Sequence, residues 1–204
     1  MMQEMVQEIE NTIREATYDM HTAVPGTIAE YDAESGMASV KPEGTITMRT
    51  GEKLDYPTIV KVPVVFPQAN GQKAAIAYPV KPGDGCLVII CENDLKPWTS
   101  HGKETDSNMK FDLTNSVCIP GLFGEGSEAA KKAAEEDAIV IKNEDMEIVV
   151  KKDAMEAKYL ESSLKMDGSS VKMDCGGCGV FVSVTGTTIE GDLNVTGIIT
   201  GGGL

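Results

Sequence analysis

Histidine is nearly missing from this chain: His21 and His101 are the only two in 204 residues. Neither stands near a Ser or Cys nucleophile pattern, so both read as ordinary surface or loop residues and no catalytic set is expected. Aromatic residues make up 5% and the single tryptophan is Trp98. That is thin material for a self-sufficient core, but adequate where several chains share one. Positive charge is also scarce, with 18 Lys and Arg against 32 Asp and Glu and a net charge of -14. Such a surface repels nucleic-acid phosphates and anionic headgroups, and no nucleic-acid partner is expected. Long apolar runs are missing too; the longest lies near Cys86 to Cys91 and is far too short to cross a bilayer.

The five cysteines, Cys86, Cys91, Cys118, Cys175 and Cys178, are odd in number. The start, MMQEMVQEIE, has neither a basic nor an apolar leader region, and the expectation is reduced thiols made in a cytosol. Cys175-Gly-Gly-Cys178 is half a zinc site without a second half in the chain. It reads as packing or turn-forming thiols, against the alternatives of a shared metal or an inter-chain disulfide. The acidic loops Glu92-Asn93-Asp94 and Asn143-Glu144-Asp145 lack the alternating ligand spacing of a calcium loop and read as solvated turns. No cofactor or metal is expected. Trp98 reads as an anchor for the barrel or for an inter-chain contact.

Four regions follow from the pattern along the chain. Residues 1–20 hold no Gly or Pro and space Met2, Met5, Val6, Ile9 and Ile13 three and four apart, which predicts an amphipathic helix. Its stripe packs on its own domain or a sister chain, or docks on a neighbouring protein. Residues 21–123 carry short β-type runs punctuated by Glu34-Ser35-Gly36, Asn70-Gly71 and Lys81-Pro82-Gly83-Asp84, predicting a small antiparallel barrel or sandwich of the OB type. Residues 124–137, largely GEGSEAAKKAAEE, read as a linker able to form one or two helical turns but burying nothing by itself. Residues 138–204 become a series of short alternating runs, each with one face to bury and no second layer in the segment to bury it. The cover must come from other chains.

The residues then show a specific likeness. Val62 to Trp98, VPVVFPQANGQKAAIAYPVKPGDGCLVIICENDLKPW, resembles the core of the OB-fold domain of myovirus-type baseplate spike proteins. Val24 to Pro42 is similar to that family's first two strands, and Met109 to Phe123 to its closing segment. Gly186 to Gly203, GTTIEGDLNVTGIITGGG, looks like the repeats of trimeric phage β-helices. The resemblance is to the central spike, the baseplate assembly protein V type needle, of contractile phage tails or phage-tail-like bacteriocins. It implies a mainly β homotrimer: an OB-fold collar docking on the baseplate hub and tail tube, then an intertwined trimeric β-helix needle that pierces the target cell envelope on sheath contraction.

On that reading the structural needle core comprises Ile139, Ile141, Ile148, Val150, Val180, Val182, Val184, Ile189, Leu193, Val195 and Ile198, with Gly186, Gly191 and Gly197 relieving crowding at turns. The protein would reside in a phage virion or tail-like particle and would not be an enzyme. Relatives with a His-x-His tip have no counterpart here, since the chain ends ITGGGL; a separate tip-capping protein is favoured over a blunt end. The alternative is a trimeric tail fibre or adhesin holding a receptor or glycan, against which stands the lack of a globular C-terminal head.

Overall fold

The computed structural model describes residues 2–18, 20–47, 51–99, 109–198 and 200–201. The chain divides into two compact units, Met1–Gly124 and Glu125–Leu204.

The first unit opens with α1 (Met2–Tyr18), the helix its apolar spacing predicts. Strands β1 (Ala23–Asp32) and β2 (Met37–Pro42) follow as a hairpin, then a small hairpin of β3 (Thr45–Thr47) and β4 (Lys53–Asp55). After β5 (Ile59–Pro63) comes another short hairpin of β6 (Gln68–Ala69) and β7 (Ala74–Ala75), then β8 (Gly85–Ile90), α2 (Lys96–Thr99) and β9 (Ser116–Pro120). The main sheet is fully antiparallel in the order β5-β2-β1-β8-β9.

β1 serves two partners, β8 through Ala23 to Thr27 and β2 through Gly26 to Asp32, and a register break between Ile28 and Glu30 lets it bend between them. Gly26 lies where they meet, and a Cβ there would come within 2.9 Å of Val40 Cγ1. The edge strands β5 and β9 approach at one point, a parallel bridge between Val64 and Cys118, giving a half-barrel. Alternation fills its concave side: Cys86, Val88 and Ile90 from β8 join Ile28, Ala38, Val40, Ile59, Val62 and Cys118 in one buried cluster. The neighbouring Cys86 sulfur and burial together push the Cys118 thiol up, so this pair behaves as core packing.

The β-type character expected of residues 21–123 is present as short strands, β7 holding only two residues. Trp98, on α2, is 82% exposed and does not anchor the half-barrel, because its short helix lies outside the alternating strands that build the core. His21 sets its ring edge-on to Tyr56 with centroids 5.9 Å apart. His101 lies outside the described residues.

The second unit begins with α3 (Glu128–Glu136) and continues as seven strands: β10 (Ile139–Asn143), β11 (Met146–Val150), β12 (Ala154–Tyr159), β13 (Ser162–Asp167), β14 (Ser170–Cys175), β15 (Cys178–Ser183) and β16 (Gly186–Glu190). They pair strictly in order as an antiparallel meander. The linker therefore holds nine helical residues, started by Ser127, whose Oγ accepts from Ala130 N at 3.1 Å, and stopped by Asp137 in the left-handed conformation.

Candidate interaction face

Two-residue turns join β10 to β11, β12 to β13, β14 to β15 and β15 to β16, so register is fixed at both ends of the sheet. Gly176 and Gly177, at φ 58° and 95°, make the β14–β15 turn, a conformation glycine adopts without a Cβ clash. At the opposite end, the Asp167 carboxylate accepts from the Ser169 and Ser170 amides at 2.8 and 2.9 Å, closing the β13–β14 turn and holding its own pKa down.

The register sorts every side chain onto one of two faces. On the first, Ile139 and Ile141 lie opposite Val150 and Ile148. Met155 and Ala157 then lie opposite Met166 and Leu164, and Val171 and Met173 opposite Val182 and Val180. Ile189 continues the row beside Val180. On the second face stand Lys142, Glu147, Glu156, Lys158, Lys165, Lys172 and Asp174, with Val140, Val149 and Phe181 among them. A strand places successive residues on opposite sides, so a period-two pattern held in register across seven strands yields one apolar face and one charged face.

The helix α3 takes the charged side. Lys142 Nζ donates to Glu128 at 2.6 Å, Lys151 pairs with Glu136 at 2.8 Å, and Lys132 donates to Glu147. These partners hold the Glu128 and Glu136 carboxyls below the usual range and raise Lys132 and Lys142. Ala129, Lys132 and Ala133, one stripe of α3, are half-buried, and Val149 beneath is the one hydrophobic residue buried in this unit, among those described.

The apolar face has no cover within the unit. Ile139 is 67% exposed, and Ile141, Met166, Met173, Val182 and Ile189 are all exposed as well. Seven strands about 4.8 Å apart and five residues long make a face of about 550 Å², at the upper end of what a monomer ordinarily carries. Cys175 and Cys178, directly opposite each other and exposed, close one end of it. Ser162 Oγ lies 3.2 Å from Cys175 Sγ, while Cys178 Sγ leans towards Gly191, where a Cβ would come within 2.8 Å.

The structure brings Ile139, Ile141, Ile148, Val150, Val180, Val182 and Ile189 together on this face. Val184 lies in the β15–β16 turn and is 88% exposed; Leu193, Val195 and Ile198 lie beyond β16, outside any strand. Met155, Ala157 and Tyr159 of β12 join the same face; they alternate with Glu156 and Lys158, but the small Ala157 at the centre makes the run a weak hydrophobic signal. The signal that finds them is a sixteen-residue repeat. Aligning 139–154, 155–170, 171–186 and the residues from 187 onward puts Ile141, Ala157, Met173 and Ile189 at one position. Val150, Met166, Val182 and Ile198 share another. Each repeat is one hairpin, which cannot bury its face alone.

Among the described residues, no helix is long and apolar enough to cross a membrane, and no group of three or more metal-ligating side chains occurs. The site is thus a bent β half-barrel in the first unit and, in the second, a repetitive sheet with one exposed apolar face. Residues 24–121 match the family model of the phage protein Gp138 N-terminal domain, which supports a phage-related structural component. No curated protein matches the chain.

Proposed function

We propose that the protein is the homotrimeric central spike of a contractile phage tail or tail-like particle. The half-barrel is its OB-type collar on the baseplate hub, and the meander is its needle. The observation that carries this reading is the continuous apolar face of β10–β16. Three such faces turned towards a common axis would cover one another and leave the charged faces, with α3, to water.

This arrangement differs from strands exchanged between chains. The ladder bonds of β11 to β15 are already made within one chain, so copies supply the missing core layer rather than missing strand partners. A needle of this kind resists axial load because separating its chains exposes the whole face at once, and its useful property is a high barrier to unfolding. The Gp138 match of the first unit supports placement in a phage particle.

The test is absolute mass by light scattering, with an unboiled denaturing gel. One chain is 21.8 kDa. A species of three chains that resists detergent until heated is expected; a stable single chain overturns the reading. A trimer that holds glycans or whole cells without sheath contraction would instead make it a fibre.

A further inference from the structure

The apolar stripe of α1 is bare. Met2 is 79% exposed, Met5 58%, Val6 50%, Ile9 51% and Ile13 58%, so the first unit offers these side chains no core. In a folded protein a helix is held mainly by packing of its apolar face rather than by intrinsic propensity, and α1 is a 17-residue helix whose stripe meets nothing in the first unit. Something outside the single chain therefore covers α1.

We infer that the cover is α1 from two further copies of the chain, in a parallel three-stranded coiled coil. Met2, Val6, Ile9 and Ile13 follow alternating spacings of four, three and four, a heptad seam with Val6 and Ile13 at a positions and Met2 and Ile9 at d positions. Ile9 at d, between Val6 and Ile13 at a, makes the centre of the seam β-branched at both kinds of position, which turns a parallel seam away from two strands and towards three or more. Charge agrees with self-association. In this register Glu8 falls at c and Arg14 at b, away from the seam, and Glu10 is the charged residue at an e position, facing Thr or Met at the g positions rather than a like charge. A net-negative helix thus meets its own copies without acid opposing acid. A separate basic partner helix would need acidic e and g rows to recognise, and this face lacks them.

The stoichiometry of three rests on the proposed spike trimer, but the seam is a second interface, on a different element from the apolar sheet. Tethering to an already assembled sheet would raise the local concentration of α1 enough to stabilise so short a coil.

The experiment uses the full chain with Cys175→Ser and Cys178→Ser, carrying either Ile9→Cys at a seam position or Glu8→Cys at an outward one, under mild oxidation. Ile9→Cys is expected to give about tenfold more inter-chain disulfide than Glu8→Cys, because seam residues of parallel chains meet while c positions face water. Light scattering on the same samples separates the two readings. A three-chain mass with no preference for Ile9→Cys overturns the coil and leaves the spike trimer standing. Linkage in a species of only two chains overturns the three-stranded seam, and a single-chain mass overturns both readings.

Discussion

At the scale of single residues, the half-barrel depends on close backbone approach and on one buried amide. A methyl group at Gly85 would overlap the Leu122 carbonyl oxygen, backbone that cannot swing aside. Gly85→Ala is expected to cost about 1–3 kcal/mol, as other overpacked sites do. Gly168→Ala, where a Cβ meets open space, should change the melting temperature little; thermal denaturation of the pair checks both. Asn115, 4% exposed, ties the loop after β8 together. Its Nδ2 donates to the carbonyls of Cys91, Asn93 and Met109, and its Oδ1 accepts from Leu95 N at 2.9 Å. Asn115→Ala should lose about 2 kcal/mol in denaturant unfolding, and Asn115→Asp more, because a carboxylate would face three carbonyl oxygens without a proton to donate. None of these roles could be read from the sequence, since an Asn in a loop and a Gly before a strand look ordinary until the chain is folded around them.

At the scale of elements, α3 is held to the sheet by ion pairs and by a narrow alanine face. Glu128 and Glu136 have pKa values depressed by Lys142 and Lys151, so their contribution is present above about 4.5 and is lost as pH falls through the depressed values. The lysines Lys132 and Lys142, raised by their partners, keep theirs below about 10.5 and lose it as pH rises through the raised values. Helical protection in 128–136 should therefore fall selectively below about pH 4.5, and earlier at high salt because the pairs lie near the surface. Hydrogen exchange, corrected for its intrinsic pH dependence, measures this. Ser127→Ala should destabilise the same helix by about 1 kcal/mol through loss of its cap, leaving the strands unchanged. Composition alone made this segment a linker, because Ala, Glu and Lys bury little; it takes the sheet beneath to supply the cations and Val149 that hold it.

At the scale of the whole molecule, the proposed trimer rests on the exposed apolar face. Ile141→Asp or Met166→Asp places a charge where copies would meet and is expected to shift the light-scattering mass from three chains towards one. Thr188→Asp, on the opposite face, should leave the mass unchanged. Cys175 and Cys178, exposed in the single chain, should resist thiol reagents in the assembled protein and react in the dissociated Asp variants. Cys86 and Cys118 should react in neither until the half-barrel unfolds, being fully buried.

The sequence by itself determined the alternation that makes β10 to β16 two-faced, the helix over 2–18 with its apolar stripe, and the turn chemistry that punctuates the half-barrel. These are local properties: side-chain period, cap and turn residues act within a few positions of themselves. Only the tertiary structure decided that β1 bends to serve two sheet partners, that α3 packs on the charged side of the meander, and that Trp98 stays outside the core. Pairing register is a long-range choice, and a residue's face follows from its neighbours' turns rather than from its own identity. Val195 illustrates the limit: alternation groups it with Ile189, whereas the sheet ends at Glu190 and leaves Val195 outside any strand.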